Sequence, residues 1–146
     1  MDFFTLLKEE HQEAKDTFKK LSKQEPADTK LAETLCKKLL LHMEMEEKYF
    51  YPKMEAIKEA EHLAIESKLE HQEAKKQIQA LLKGSLDEIE TKVKLETLQL
   101  EIEHHVEEEE TEVFPLARKY LSKEDVQKIT EQMLALKEKS MASIGK

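Results

Sequence analysis

Two histidine–glutamate pairs have a spacing that can bring two metal ligands to one point. Glu46 follows His42 by four residues, and Glu109 follows His105 by four residues. Residues four apart on an α-helix lie on the same face, with Cβ atoms about 5–6 Å apart. An imidazole nitrogen and a carboxylate oxygen in this arrangement can bind one metal ion, and iron, manganese and zinc all accept this combination.

Two further histidines, His11 and His71, lie in a repeated sequence. The hexapeptide Glu-His-Gln-Glu-Ala-Lys occupies residues 10–15 and recurs unchanged at residues 70–75. The two histidine–glutamate pairs form a second repeat, because each is followed by a proline at the same distance. The halves of the chain are therefore two copies of one helix pair, and their candidate ligands are predicted to meet near a pseudo-two-fold axis.

The set of six is more informative than any single member. A lone histidine on an apolar helix face is more often a hydrogen-bonded core residue than a ligand. Burying two glutamates and four histidines in one apolar core would cost several kcal/mol for each uncompensated charge, and bound cations remove that cost. The sequence therefore predicts a site for two metal ions with these ligands: His11, His42, Glu46, His71, His105 and Glu109.

Four segments carry apolar residues at alternating three- and four-residue steps, which predicts four amphipathic helices with the candidate ligands on their apolar faces. Pro52 and Pro115 are expected to end or kink the second and fourth helices. The predicted fold is all-α: an up-down-up-down four-helix bundle over about residues 3–120, followed by a short additional helix over about residues 122–141. Residues 1–146 are expected to form a single domain.

Composition and charge exclude several classes of protein. The 146 residues include only two Gly and three Pro, which leaves few turn-forming residues for a β-fold. No apolar run approaches the roughly 20 residues that cross a bilayer. The net charge of -8 comes from interleaved acidic and basic residues, which gives no support for nucleic-acid binding. The single Cys36 and the absence of a signal-peptide pattern at the start favour a cytoplasmic location.

Over roughly residues 3–120 the chain resembles hemerythrin-like proteins of the HHE cation-binding family. The motifs that carry the resemblance are His11, His42 with Glu46, His71, His105 with Glu109, Tyr51-Pro52 and Phe114-Pro115. The resemblance implies two non-haem iron ions, joined by the two glutamate carboxylates and an oxo or hydroxo group. By the same resemblance, His11 and His42 would hold one iron, and His71 and His105 would hold the other.

One position departs from the oxygen-carrying hemerythrins, which are similar but place a second histidine one turn after the third-helix ligand. Lys75 stands at that position. A lysine ammonium is a poor metal ligand and can extend to solvent, so both irons are expected to keep open positions or bind water. Open positions on both irons argue against pure oxygen transport and favour chemistry with O2, peroxide or NO.

The resulting hypothesis is a non-haem di-iron protein that binds or reduces a small oxidant. The alternative is an oxygen- or iron-responsive sensing or iron-handling module without turnover. Whether the protein is an enzyme stays open. Turnover would require a separate electron-donor protein, because the sequence contains no flavin, NAD or rubredoxin-like cysteine motif.

The surroundings of the site follow from the same spacings. An apolar pocket wall is expected from this set: Ala14, Phe18, Leu39, Ala74, Ile78, Leu98 and Ile102. Tyr49 either bonds to the site or is a core residue, with the core interpretation favoured. His104 is an alternative to His105, although the repeat favours His105. Glu47 and Glu110 are interpreted as surface residues, with substitution for the neighbouring glutamates left open.

Overall fold

The computed structural model describes residues 1–144, which form helices and their connections and contain no strand. The elements are α1 (Phe3–Ser22), α2 (Thr29–Met45), the π-helical turn π1 (Glu46–Phe50), α3 (Tyr51–Glu55), α4 (Glu61–Lys83), α5 (Glu88–Glu108), the π-helical turn π2 (Glu109–Val113), α6 (Phe114–Tyr120) and α7 (Lys123–Ile144). α2, π1 and α3 follow one another without a break, as do α5, π2 and α6. The predicted all-α bundle with an additional C-terminal helix is confirmed. Residues 145 and 146 of the predicted domain lie outside the described part of the chain.

Local signals in the sequence set the helix ends. The Asp2 carboxylate accepts a hydrogen bond from a backbone N–H of the first turn of α1, and Asp28 does the same for α2. Asp87 and Glu90 form a reciprocal capping box at the start of α5. Gly84 ends α4 in the left-handed conformation with φ 72°, which a residue without a Cβ adopts at little cost.

Apolar side chains form two core clusters. We name the first the aromatic cluster, and its main members are Phe3, Phe4, Leu7, Phe50, Tyr51, Val113 and Phe114. We name the second the aliphatic cluster, and its main members are Ala14, Phe18, Cys36, Leu39, Ala74, Ile78, Leu98 and Ile102. Along α1, His11 lies between residues of the two clusters, and His71 does so along α4. The candidate ligands therefore occupy a polar layer between two apolar regions.

The prolines mark a change of helix type and not a helix end. Pro52 and Pro115 lie in the first turn of α3 and α6, directly after a π-helical turn in each case. A proline has no N–H to donate within a helix. The residue before each proline closes the wider turn, because the N–H of Tyr51 donates to the Glu46 carbonyl and that of Phe114 to the Glu109 carbonyl. The second and fourth helices of the bundle consequently continue past the prolines.

α7 is longer than the predicted short helix, with 22 residues that extend to Ile144. Met141, at the predicted end, and Ile144, beyond it, both pack against the aromatic cluster and so continue the apolar face. Thr130, buried on the same helix, accepts a hydrogen bond from the Phe3 backbone N–H at 2.8 Å. This hydrogen bond attaches α7 to the first residue of α1, and the apolar face of α7 packs on the bundle. No helix in the described part of the chain combines the length and the apolar content that crossing a bilayer needs.

Candidate metal centre

The four candidate histidines converge in two pairs. His11 of α1 and His42 of α2 have their Nε2 atoms 3.2 Å apart, and His71 of α4 and His105 of α5 have theirs 3.1 Å apart. All four side chains are buried, with at most 8% of any residue exposed. The structure thus brings together the histidines that the repeat predicts, in the pairing that the family resemblance implies.

The two central glutamates lie between the pairs. Glu46 Oε1 lies 3.3 Å from His42 Nε2 and 3.2 Å from His71 Nε2. Glu109 Oε1 lies 3.2 Å from His11 Nε2, and its Oε2 lies 3.5 Å from His105 Nε2. Each carboxylate therefore contacts one imidazole of each pair, which is the arrangement that a ligand shared between two ions requires.

Each histidine is held from outside by another carboxylate. Every Nδ1 atom lies 2.6–2.7 Å from an oxygen of one of the outer carboxylates: His11 with Glu110, His42 with Glu10, His71 with Glu47 and His105 with Glu70. A carboxylate accepts hydrogen bonds, so the imidazole proton on this side lies on Nδ1 and is donated outward. In the neutral imidazole the Nε2 lone pair then faces inward, as a metal ligand requires.

The outer carboxylates correct the interpretation of Glu47 and Glu110 as surface residues. Both are half-buried, because their side chains extend to a histidine on a neighbouring helix. Glu10 and Glu70 were not identified from the sequence. The repeats contained a signal for all four, because each outer glutamate occupies the same place in both copies, directly before the first histidine or directly after the central glutamate.

Tyr51, and not Tyr49, contacts the centre. Its hydroxyl donates to Glu109 Oε2 at 2.5 Å and lies 3.3 Å from Nε2 of both His71 and His105. Tyr49 packs half-buried against the aromatic cluster, at the edge of the core. A bond from Tyr49 to the site would need an uninterrupted α-helix, whereas the π-turn π1 adds a residue to the turn and directs Tyr51 inward.

The sequence profile of a family described as "Hemerythrin HHE cation binding domain" matches residues 2–117. The chain belongs to this family. The match spans α1 to α6 up to Ala117 and leaves α7 outside. Comparison with curated proteins and with solved structures found no match.

The central carboxylates of this HHE domain need positive charge. Among the described residues, Glu46 Oε1 and Oε2 and Glu109 Oε1 have no hydrogen-bond donor, and both residues are at most 1% exposed. Burial raises the pKa of the Glu109 carboxyl, but its contacts with Glu46, His105 and His11 outweigh this effect and hold the pKa well below its usual range. An ionised, buried carboxylate is costly unless positive charge lies beside it. A metal cation fits this donor set.

The histidines respond to the same charges. Burial lowers the pKa of His42, but the Glu46 and Glu10 carboxylates outweigh it and raise the pKa well above the usual value. Burial also lowers the pKa of His105, but the Glu109 and Glu70 carboxylates outweigh this effect and raise the pKa to about 10. Protons on these imidazoles and a bound cation would therefore supply positive charge to the carboxylates at the same positions.

Lys75 was expected to extend to solvent, but the structure shows its ammonium in an ion pair. Its ammonium lies 2.9 Å from both oxygens of Glu47, the carboxylate that holds His71. Lysine at this position is therefore engaged in supporting a histidine. His104 is exposed and faces Glu70 and Glu108 on the outside of the bundle, so the structure turns His105 inward, as the repeat favours.

A cavity of about 90 Å³ lies between α1 and α2 and reaches the polar layer. Its apolar wall includes Ala14, Leu39 and Ile102, and its polar end includes all four candidate histidines. Four other residues of the expected wall do not line it and are packed in the aliphatic cluster: Phe18, Ala74, Ile78 and Leu98. Most of the lining comes from α1 and α2, and α7, which has no counterpart in the repeat, adds Lys137 and Met141.

The Tyr51 contact predicts a stability difference between two tyrosine variants. Burial and the Glu109 and Glu46 carboxylates raise the pKa of Tyr51 well above its usual value, so the phenol is a neutral donor at physiological pH. Tyr51→Phe removes the donor to Glu109 and should lower the free energy of unfolding of the metal-free protein by about 1.5–3 kcal/mol. Tyr49→Phe is the matched control and should change it by less than about 0.5 kcal/mol. Urea unfolding followed by circular dichroism measures both, and equal effects would contradict the assignment.

Proposed function

We propose that the protein is a non-haem di-iron protein that binds or reduces a small oxidant, namely O2, peroxide or NO. The observation that carries this proposal is the set of donorless carboxylate oxygens on Glu46 and Glu109, which face four imidazole Nε2 atoms in the interior. The proposed ligands are His11 and His42 for one ion, His71 and His105 for the other, and Glu46 and Glu109 for both, with an oxo or hydroxo group between the ions.

The spacing of the imidazoles supports one ion for each pair. Two nitrogens bound to one metal ion at about 2.1 Å and roughly at right angles lie about 3 Å apart. The Nε2 separations of 3.2 Å for His11 with His42 and 3.1 Å for His71 with His105 agree with this value. Two lone pairs facing each other at that distance repel unless a proton or a metal ion lies between them.

The charge balance supports two ions and not one. Six carboxyl groups surround the four imidazoles, two at the centre and four outside. Lys75 bonds Glu47, and Lys137 bonds Glu10. Two divalent cations together with these two lysines would balance six carboxylates while every imidazole stays neutral, as metal binding requires.

The residues around the proposed centre suit a small uncharged molecule. Iron, when bound, would supply the electrons for reduction of the oxidant. The apolar cavity wall with Ala14, Leu39 and Ile102 favours small apolar molecules over ions. The Tyr51 hydroxyl is held beside Glu109 and can donate a hydrogen bond within the polar layer. Repeated turnover would take electrons from a separate electron-donor protein, and we propose a cytoplasmic setting for this exchange.

A second candidate function is an oxygen- or iron-responsive module that senses or handles iron without turnover. It is favoured by the buried charge of Glu46 and Glu109, which makes the stability of the bundle depend on whether cations are present. Loss of metal would then loosen the polar layer, and the change could be transmitted to a partner. The two candidates share the site and differ in whether the oxidant is consumed.

Metal analysis tests the proposed ligands. Protein loaded anaerobically with Fe²⁺ and freed of excess metal should retain about two Fe per chain and develop oxo-bridge absorption on exposure to O2. His42→Ala and Glu109→Ala each remove a proposed ligand and should lose at least half of the iron. His104→Ala removes an exposed histidine next to the proposed ligand His105 and is the matched control. If both ligand variants retain as much iron per chain as the wild type, the proposed ligand set is wrong.

Oxidant consumption separates the two candidate functions. Iron-loaded protein is supplied with a chemical reductant and with O2, H2O2 or NO, and loss of the oxidant is followed over many equivalents. The enzyme candidate predicts consumption well beyond one equivalent per site, abolished in Glu109→Ala. Reversible binding, or a single equivalent consumed without recovery, would favour the sensing or iron-handling module.

Iron should stabilise the fold. A ligand that binds only the folded state adds about 2.7 kcal/mol when its free concentration is ~100 times its dissociation constant. We therefore expect Fe²⁺ to raise the thermal midpoint of the wild type and of His104→Ala under anaerobic conditions, and to leave Glu109→Ala nearly unchanged. Differential scanning calorimetry with and without Fe²⁺ gives the comparison, and the same shift in all three proteins would indicate binding elsewhere.

A further inference from the structure

α7 contributes a residue to the surroundings of the metal centre although it lies outside the matched family residues 2–117. The Lys137 ammonium lies 2.8 Å from Glu10 Oε2. The other oxygen of Glu10 accepts the hydrogen bond from His42 Nδ1 at 2.6 Å. The side chains of Lys137 and Glu10 are 30% and 15% exposed, so this chain of contacts is only partly accessible to water.

The packing of α7 determines where Lys137 lies. Ile129 and Met133 are buried against the aromatic cluster, and Thr130 is bonded to the backbone of Phe3. Lys137 is four residues after Met133 and therefore lies on the same face of the helix, one turn further along. Met141 follows by another four residues, and both Lys137 and Met141 line the cavity that reaches the polar layer.

We propose that Lys137 is a positioning residue of the metal centre, which holds the Glu10 carboxylate that orients His42 and closes, with Met141, the outer wall of the cavity. This inference rests on the proposed function for its effect on iron. It adds α7 to a centre whose proposed ligands all come from the four helices of the bundle.

The other half of the repeat provides an internal comparison. Glu70 is the counterpart of Glu10 and accepts the hydrogen bond from His105 Nδ1 at 2.7 Å. The second oxygen of Glu70 lies 3.6 Å from Nε2 of the exposed His104, and no lysine among the described residues forms an ion pair with it. Lys137 therefore gives the His42 side a fixed cation that its copy does not have.

The charge of Lys137 has a definite effect on His42. An ammonium at Glu10 Oε2 draws negative charge away from Oε1, so the carboxylate pulls less strongly on the Nδ1 proton of His42. His42 Nε2 is then a weaker electron donor. Neutralising Lys137 should reverse this, so that His42 donates more strongly, a bound ferric ion is favoured over a ferrous ion, and the reduction potential falls.

The experiment compares Lys137→Met, Lys137→Arg and Lys139→Met in the full chain. Lys137→Met keeps the aliphatic stem and removes the charge, while Lys137→Arg restores a cation. Lys139→Met removes a charge from an exposed position on the same helix and is the matched control. Lys137→Gln serves as a second neutral variant if circular dichroism shows that Lys137→Met does not fold.

Two measurements are made on each variant. In metal-free protein labelled with ¹⁵N-histidine, NMR should show a shift of the His42 ring signals in Lys137→Met, with His71 unchanged. In iron-loaded protein, the reduction potential should fall in Lys137→Met and stay near the wild-type value in Lys137→Arg and Lys139→Met. The NMR measurement needs no iron, so it tests the position of His42 even if the protein proves not to bind iron.

The inference is overturned if the His42 signals and the reduction potential of Lys137→Met match those of Lys139→Met. It is also overturned if Lys137→Arg changes both as much as Lys137→Met does, because the centre would then respond to disturbed packing of α7 and not to the charge at Glu10. Failure of all variants and of the wild type to retain iron would instead contradict the proposed function.

Discussion

The carboxylates of Glu46 and Glu109 lie in the interior with almost no contact with solvent, and water cannot stabilise their charge. Positive charge must therefore come from the protein or from bound cations. The four imidazoles are placed so that they can accept either a proton or a metal ion on Nε2, because each Nδ1 proton is already donated to an outer carboxylate. This demand for charge explains why the polar layer contains imidazoles facing inward and carboxylates on both sides of them.

The fold keeps this layer in place by enclosing it between the aromatic and the aliphatic clusters. A helix that slid along its axis would move a histidine into one cluster and an apolar side chain into the polar layer, so the packing fixes the register of all four bundle helices. The π-turns add a second constraint. Glu46 and Glu109 each begin a π-turn, and the wider turn directs the residue five positions later, Tyr51 or Phe114, into the interior.

The bundle and the inward position of the six proposed ligands could be predicted from the sequence, because inward-facing positions on a helix follow the 3.6-residue period. The sequence was not sufficient for the outer carboxylates. Glu47 and Glu110 lie beside inward positions and look like surface residues on a helical wheel, but a glutamate side chain is long enough to contact the next helix. The regular helical period places Tyr49 on the same face as His42, but this period fails across the π-turn π1, and Tyr51 contacts the centre instead. Lys137 depends on how α7 packs, which no local pattern in the sequence contains.

The two halves of the chain repeat their proposed ligands but not the surroundings of those ligands. Tyr51 donates to Glu109, whereas its counterpart Phe114 has no hydroxyl and stacks on His11 with the ring planes 6° apart. Lys75 bonds Glu47 in one half, while Lys15, at the same place in the repeat, is exposed. Two ions in identical ligand sets would therefore experience different fields. α7 packs on α1 and α2 and has no counterpart in the repeat. A molecule in the cavity would therefore meet unequal surroundings in the two halves, and the two ions of the proposed centre would not be equivalent.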